Sequence, residues 1–154
     1  MPHIHEKIDF TAEVFIVFGN KVLLRKHDKY KKWLSVGGHI ELDEDPNNAA
    51  IREAKEEVGL EIELSGGIFN PPKEGYKELI PPKFMNIHNI NENHKHITLV
   101  YFAKSQANKL NLSQEEMSEE CKWFSWEELM QNSHGIDEHI RKYAMTALYE
   151  LKEN

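Results

Sequence analysis

Residues 45–59 constrain the fold more than any other part of the sequence. Asp45 offers a side-chain oxygen to the orphan N–H groups of a helix N-terminus. Pro46 fits the first helical position, where its missing N–H is harmless, and residues 47–58 continue with good helix formers. Gly59 suits the left-handed backbone that ends a helix. At about 100° per residue, with Glu53 as origin, Ala54, Val58 and Ile51 fall near about 100°, 140° and 160°. Such an apolar stripe needs a sheet to cover it.

Runs able to supply that sheet lie on both sides. Residues 11–18 and 21–26 are β-branched and aromatic, and Gly19-Asn20 between them suits a tight hairpin. Residues 27–32 read as a polar loop, and 33–36 lead into Gly37-Gly38, with a short strand expected at 39–41. After the helix, 61–64 and Ile68-Phe69 suggest another strand. Four prolines make residues 70–83 a long loop. Residues 84–90 and 96–104 form a further strand pair across Asn91-Glu92-Asn93, and residues 105–120 are a polar connector. A short strand at 122–124 precedes a helix that Ser125 caps, with Glu128 completing a capping box. A last helix over 136–151 places Ile140, Tyr143, Ala144, Ala147 and Leu148 on one face. The order predicts a mixed α+β or α/β sandwich. No linker or repeat divides the 154 residues, so one domain over 1–154 is expected.

The charge is unevenly placed. The chain carries a formal net charge of −7, and residues 41–63, with nine acids against two bases, hold all of it. An acidic chain without a Lys/Arg cluster is a poor partner for nucleic-acid polymers. No apolar run approaches the length of a membrane span, and the first residues lack a signal peptide's pattern. The lone Cys121 excludes an internal disulfide and fits a cytoplasmic location.

Within the acidic stretch, Glu53, Glu56 and Glu57 share an arc of about 100° on the helix. Like charges at these spacings oppose helix formation, and their place well inside the helix gains little from its dipole. A solvated acidic face is the plain explanation for such a cluster. A hard divalent cation with oxygen ligands is the functional one. Gly37-Gly38 allows close backbone approach and could add carbonyl ligands. Arg52 could pair with Glu56 or reach back to Glu44, fixing the carboxylates' orientation.

Gly38, Glu44 and the run Arg52-Glu53-Ala54-Lys55-Glu56-Glu57-Val58-Gly59-Leu60 resemble the signature of the Nudix hydrolases over its full span, residues 38–60. The resemblance implies an α/β/α sandwich around a mixed sheet. It implies Mg²⁺-dependent hydrolysis of a diphosphate linkage in a nucleoside diphosphate linked to X, with Mn²⁺ as a substitute ion, by attack of metal-activated water on phosphorus. Carried onto this sequence, it makes Glu53, Glu56, Glu57 and Gly38 the metal-site candidates, with Arg52 and Glu44 in support. Glu53 is the first candidate for general base. Glu115, Glu116, Glu119 and Glu120 are the alternatives, because some family members draw the base from a downstream loop.

Substrate choice is less constrained. A modified nucleoside triphosphate or related nucleotide is the leading expectation. Dinucleoside polyphosphates, ADP-ribose or nucleotide sugars are the alternatives, and a non-catalytic nucleotide-sensing module is the reading outside enzymology. Arg25 is a candidate phosphate contact. Tyr76, 16 residues beyond Leu60, resembles a feature of diadenosine-polyphosphate-cleaving members. Trp33, Phe84 and Tyr101 could stack a base but read first as core. An isopentenyl-diphosphate isomerase would need a catalytic cysteine, and Cys121 lies far from the signature in sequence. The pairs His3/His5 and His94/His96 share a side on extended chain, but no further ligand in the sequence closes a zinc site. They therefore read as exposed histidines. Many relatives dimerise, so a homodimer is compatible with the reading.

Overall fold

The computed structural model describes residues 7–27, 30–112 and 120–153. Its elements in chain order are β1 (Ile8–Phe18), β2 (Lys21–His27), β3 (Lys32–Leu34), β4 (Val36–His39), α1 (Pro46–Val58) and β5 (Ile62–Leu64). There follow β6 (Phe84–Asn91), β7 (His94–Ser105), β8 (Glu120–Ser125), α2 (Trp126–Gln131) and α3 (Glu138–Leu151). The strands form one eight-stranded mixed sheet whose central path is β3-β2-β1-β7-β5. β4 pairs with β1, β6 with β7, and β8 with β2.

The frame of the sheet is the parallel pairing of β1 and β7, from Ile8 opposite Lys95 to Val17 opposite Lys104. Alternation along β1 sends its side chains to two separate cores. Ala12, Val14 and Ile16 face α1, packing with Ala49, Ala50, Ala54 and Val58. Phe15 and Val17 face the other way, against Leu129 of α2 and Ile140, Ala144, Ala147 and Leu148 of α3. The result is the expected α/β/α sandwich.

Local signals in the sequence act as read. Asp45 accepts from the backbone N–H of Asn48, Pro46 opens α1, and Gly59 ends it at φ 71°. Gly19 turns the β1–β2 hairpin at φ 60°. Ser125 and Glu128 form the reciprocal capping box of α2.

Four expectations need correction. Ile68 and Phe69 are not in a strand, because β5 ends at Leu64 and the prolyl loop begins there. The strand expected at 39–41 starts three residues earlier and ends at His39, since Gly37 and Gly38 pair with Glu13 and Ala12 of β1. The last helix starts at Glu138, because the backbone N–H of Ile136 is taken by the Asn132 side chain, 2.8 Å away. Ile51 is 37% exposed and is not part of the buried stripe. On the same angular scale the buried residues of α1 run from Ala49 at about −40° to Val58 at about 140°. Glu53 and Glu57 lie at the middle of that arc, so α1 presses its carboxylates, rather than Ile51, toward the sheet.

Candidate active site

The glycine pair and the acidic helix meet at the junction of β4 and α1. Glu53 and Glu57 are 4% and 6% exposed, whereas the Glu56 side chain is 61% exposed. Two of the three carboxylates on this arc are therefore buried, which a merely solvated face does not require. Burial is possible because the backbone of β4 has no Cβ in the way. A Cβ on Gly38 would collide with the Glu53 carboxylate, and one on Gly37 with the Ala12 carbonyl. The Gly37 N–H donates to Glu57 Oε1 at 2.9 Å.

Arg52 gathers the remaining groups. Its Nε and Nη2 donate to both oxygens of Glu44, at 2.9 and 2.6 Å. Nη1 donates to Glu53 at 3.0 Å and to Glu56 at 3.1 Å, and Nη2 also reaches the His39 carbonyl at 3.2 Å. The two pairings anticipated for Arg52 are therefore made together, with Glu53 and a backbone carbonyl added. The planar guanidinium can serve several acceptors at fixed angles, which an ammonium cannot.

Electrostatics follow from these contacts. Burial pushes the Glu53 carboxyl above its ordinary range, while the Arg52 charge and hydrogen bonds from Glu57 and Arg52 pull it back down. Glu44 moves the opposite way, held low chiefly by its hydrogen bonds from Arg52. Glu57 makes an ion pair with Arg25, itself buried on β2. Arg25 thus meets the site through Glu57, a contact that helical and strand periodicity had no means of revealing. Cys121 is its register partner on β8 and packs on the α1 side of the sheet. The isomerase comparison placed Cys121 far away in sequence, yet the sheet brings it beside Arg25.

Four carboxylates (Glu44, Glu53, Glu56 and Glu57) meet two guanidiniums (Arg52 and Arg25) here. The two negative charges left over match one divalent cation, and an all-oxygen donor set suits a hard one. The residues present therefore fit such an ion, with Glu53, Glu56, Glu57 and the Gly38 carbonyl as its candidate holders.

The prolyl loop is tied to the start of α1. The Asn47 amide donates to the Ile80 carbonyl at 2.9 Å and accepts from the Ile80 N–H at 2.8 Å. Lys77 pairs with the N-cap Asp45 at 2.8 Å. Tyr76, 43% exposed, lines a cavity of about 500 Å³ with Asn70, Pro71, Pro72 and Lys73. Asn47 carried no functional signal in the sequence, although an amide at a helix start facing a proline-rich loop is a recognisable clamp. Trp33 and Tyr101 are buried in the two cores, and Phe84 packs on Tyr143. Of the alternative bases, Glu115, Glu116 and Glu119 lie outside the described residues. Glu120 opens β8 opposite Lys26.

Comparison with known proteins agrees with this fold. The NUDIX domain family model matches residues 10–146. A NUDIX-family hydrolase structure from Clostridium perfringens is 40% identical, with a TM-score of 0.81, covering 94% of this chain and 98% of that one. A MutT NUDIX hydrolase from Burkholderia pseudomallei is 20% identical with a TM-score of 0.62, over 96% of this chain and 100% of that one. A MutT protein from Methanosarcina mazei Go1 is 18% identical with a TM-score of 0.67, over 97% and 99%. These last two show the fold alone. No curated protein gives a significant sequence match.

Proposed function

The chain belongs to the Nudix hydrolase family, and on that premise we propose that it is a Mg²⁺-dependent pyrophosphohydrolase of nucleoside triphosphates or related, including modified, nucleotides. The observation that carries this reading is the buried Glu53–Glu57 pair beneath Gly37-Gly38, with Arg52 binding Glu44, Glu53 and Glu56 around it. Bound there, the ion supplies charge neutralisation and Lewis acidity toward a phosphoryl oxygen.

The protein's own groups do the rest. Arg52 holds Glu44, Glu53 and Glu56 in fixed orientation, so little reorganisation is needed when substrate arrives. The Gly37 N–H and Arg25 hold Glu57. Glu53, buried at the centre of the carboxylate cluster and held by Arg52, is the group assigned to take the proton from the attacking water. Arg25 adjoins the carboxylate site through its pair with Glu57, which is the basis for assigning it a contact with a substrate phosphate drawn there by a divalent ion. The acidic surroundings favour a small substrate that brings its own divalent ion over a nucleic-acid polymer.

Dinucleoside polyphosphates are the second reading, favoured by Tyr76. Its ring is half-exposed beside the Lys73 ammonium, 5.5 Å from the ring centre, at a cavity able to take a base. A panel of nucleoside triphosphates, ADP-ribose, dinucleoside polyphosphates and nucleotide sugars, each with Mg²⁺ or Mn²⁺, separates the readings by the product released. Absence of turnover on every member, with no divalent-ion binding by calorimetry, would overturn the enzymatic assignment.

A further inference from the structure

A second polar cluster lies on the sheet face away from α1. Of the histidines expected to be exposed, His3 and His5 lie outside the described residues, whereas His94 is 4% exposed and His96 half-buried, so the expectation is not met there. His94 opens β7 and His96 follows two residues later, so both side chains point to one face. Asp9 of β1 sits opposite His96 in the parallel register and is fully buried on the same face. His39, the last residue of β4, is the register partner of Thr11 and joins them. Its neighbour Gly38 faces Glu53, so the two clusters lie on opposite sides of one strand.

The distances inside this cluster are informative. Nε2 of His94 is 3.2 Å from Asp9 Oδ2, and Nε2 of His39 is 3.3 Å from the same oxygen. One ligand atom each from Asp9, His94 and His96 lies within 4.8 Å of the others. The rings of His39 and His96 are 4.9 Å apart, those of His94 and His96 5.2 Å. A charge-assisted N–H···O bond would close to about 2.7–2.9 Å. Zinc–nitrogen and zinc–oxygen bonds of about 2.0–2.1 Å in a tetrahedron set its ligands about 3.3–3.4 Å apart. Both Asp9 distances lie near that edge length; Asp9, His94 and His96 form the mutually close set, and His39 meets it through Asp9.

We propose that Asp9, His94 and His96 hold a transition-metal ion of the zinc class, with solvent in the fourth tetrahedral position and His39 supporting Asp9, separate from the carboxylate site on α1. Two imidazoles and one carboxylate suit zinc and its neighbours, whereas Mg²⁺ prefers an all-oxygen shell. The three ligands come from β1 and β7, so the ion pins that parallel pair, and His39 of β4 buttresses Asp9 from the side. Thr11 and Thr98, bonded Oγ1 to Oγ1 at 2.7 Å, continue the polar ladder toward the core. His88 of β6, fixed by Asn86 at 2.9 Å, flanks His96 with ring centres 5.8 Å apart. His39 also links the two sites, since its carbonyl accepts from Arg52.

The test uses the full chain, stripped with chelator and titrated with Zn²⁺ by calorimetry and with Co²⁺ by visible absorption. Wild type is expected to bind one equivalent of Zn²⁺ in excess Mg²⁺ and to give the intense visible bands of tetrahedral Co²⁺. Glu57→Gln should retain both signals, whereas Asp9→Asn and His94→Gln should weaken Zn²⁺ binding by about 100-fold or more. Should those buried variants fail to fold, His96→Gln, at a half-buried position, carries the same expectation. Absence of tetrahedral Co²⁺ bands in wild type would overturn the proposal. So would Zn²⁺ binding that is lost in Glu57→Gln but kept in Asp9→Asn or His96→Gln.

Discussion

Replacing Arg52 with alanine tests the arrangement of the carboxylate site directly. The guanidinium is one quarter exposed and holds the buried Glu53 and the largely buried Glu44 at 2.6–3.0 Å. Its bond to the largely exposed Glu56 adds about 0.3–0.5 kcal/mol at most. Hydrogen bonds to charged groups contribute about 1.5–3 kcal/mol when well shielded. Losing a fully buried partner costs about 3–5 kcal/mol. Partial solvent access places the loss between these limits, at about 2–3 kcal/mol. In a chain of this size that lowers Tm by roughly 5–10 °C. The cost arises mainly because Glu53 is left buried beside Glu57 without its cation. A divalent ion bound to those carboxylates should therefore recover part of it. Urea denaturation of wild type and Arg52→Ala, each with and without Mg²⁺, measures both quantities. A metal-free difference below about 0.5 kcal/mol would place Arg52 among ordinary surface ion pairs and refute the reasoning.

Other consequences of the same geometry are open to measurement. Glu57→Gln should lower kcat by about 100-fold or more and cost up to about 3–5 kcal/mol in urea denaturation, because the amide keeps the shape but leaves the buried Arg25 charge without its partner. Turnover at the wild-type rate would remove Glu57 from the site. Glu44 is held below its ordinary value near 4.5 by Arg52, so the stability it contributes is present above that pH and lost as pH falls through its lowered value. Between about pH 5 and 3, wild type should lose more stability than Arg52→Ala; parallel curves would contradict the pairing. Glu53 is raised by burial, so protons compete with the ion to higher pH than for an exposed carboxylate. Mg²⁺ affinity, followed by calorimetry, should therefore keep rising as pH passes above 4.5. Asn47→Ala removes both bonds to Ile80 and should cost about 1–2 kcal/mol while raising KM more than it lowers kcat. Unchanged KM would separate the Tyr76 loop from substrate binding.

What could be read in advance was local in chain or fixed in spacing. The Asp45 cap, Pro46 and Gly59 bound α1 because helix termini are satisfied by neighbouring residues. The Gly19-Asn20 turn and the Ser125–Glu128 box worked for the same reason. The signature from Gly38 to Leu60 was visible because its spacing lies within one strand–loop–helix unit. Helical angles correctly grouped the three glutamates but gave the buried face to Ile51, since hydropathy assumes that carboxylates point outward. Gly37 and Gly38 reversed that assignment by letting backbone approach Glu53 and Glu57.

Sequence alone thus determined the helix, its caps, the sandwich and the family to which the carboxylates belong. Tertiary structure decided which of those carboxylates are buried and what holds them. Arg25 reaches Glu57 across 32 residues because β2 lies beside the site, and Asp9 meets His94 because β1 and β7 run parallel. Parallel neighbours are joined by long crossovers, so no local pattern in either strand encodes which residues face each other. His94 and His96, which read as exposed when taken along the chain, gather with His39 around one buried carboxylate once β1, β4 and β7 are side by side.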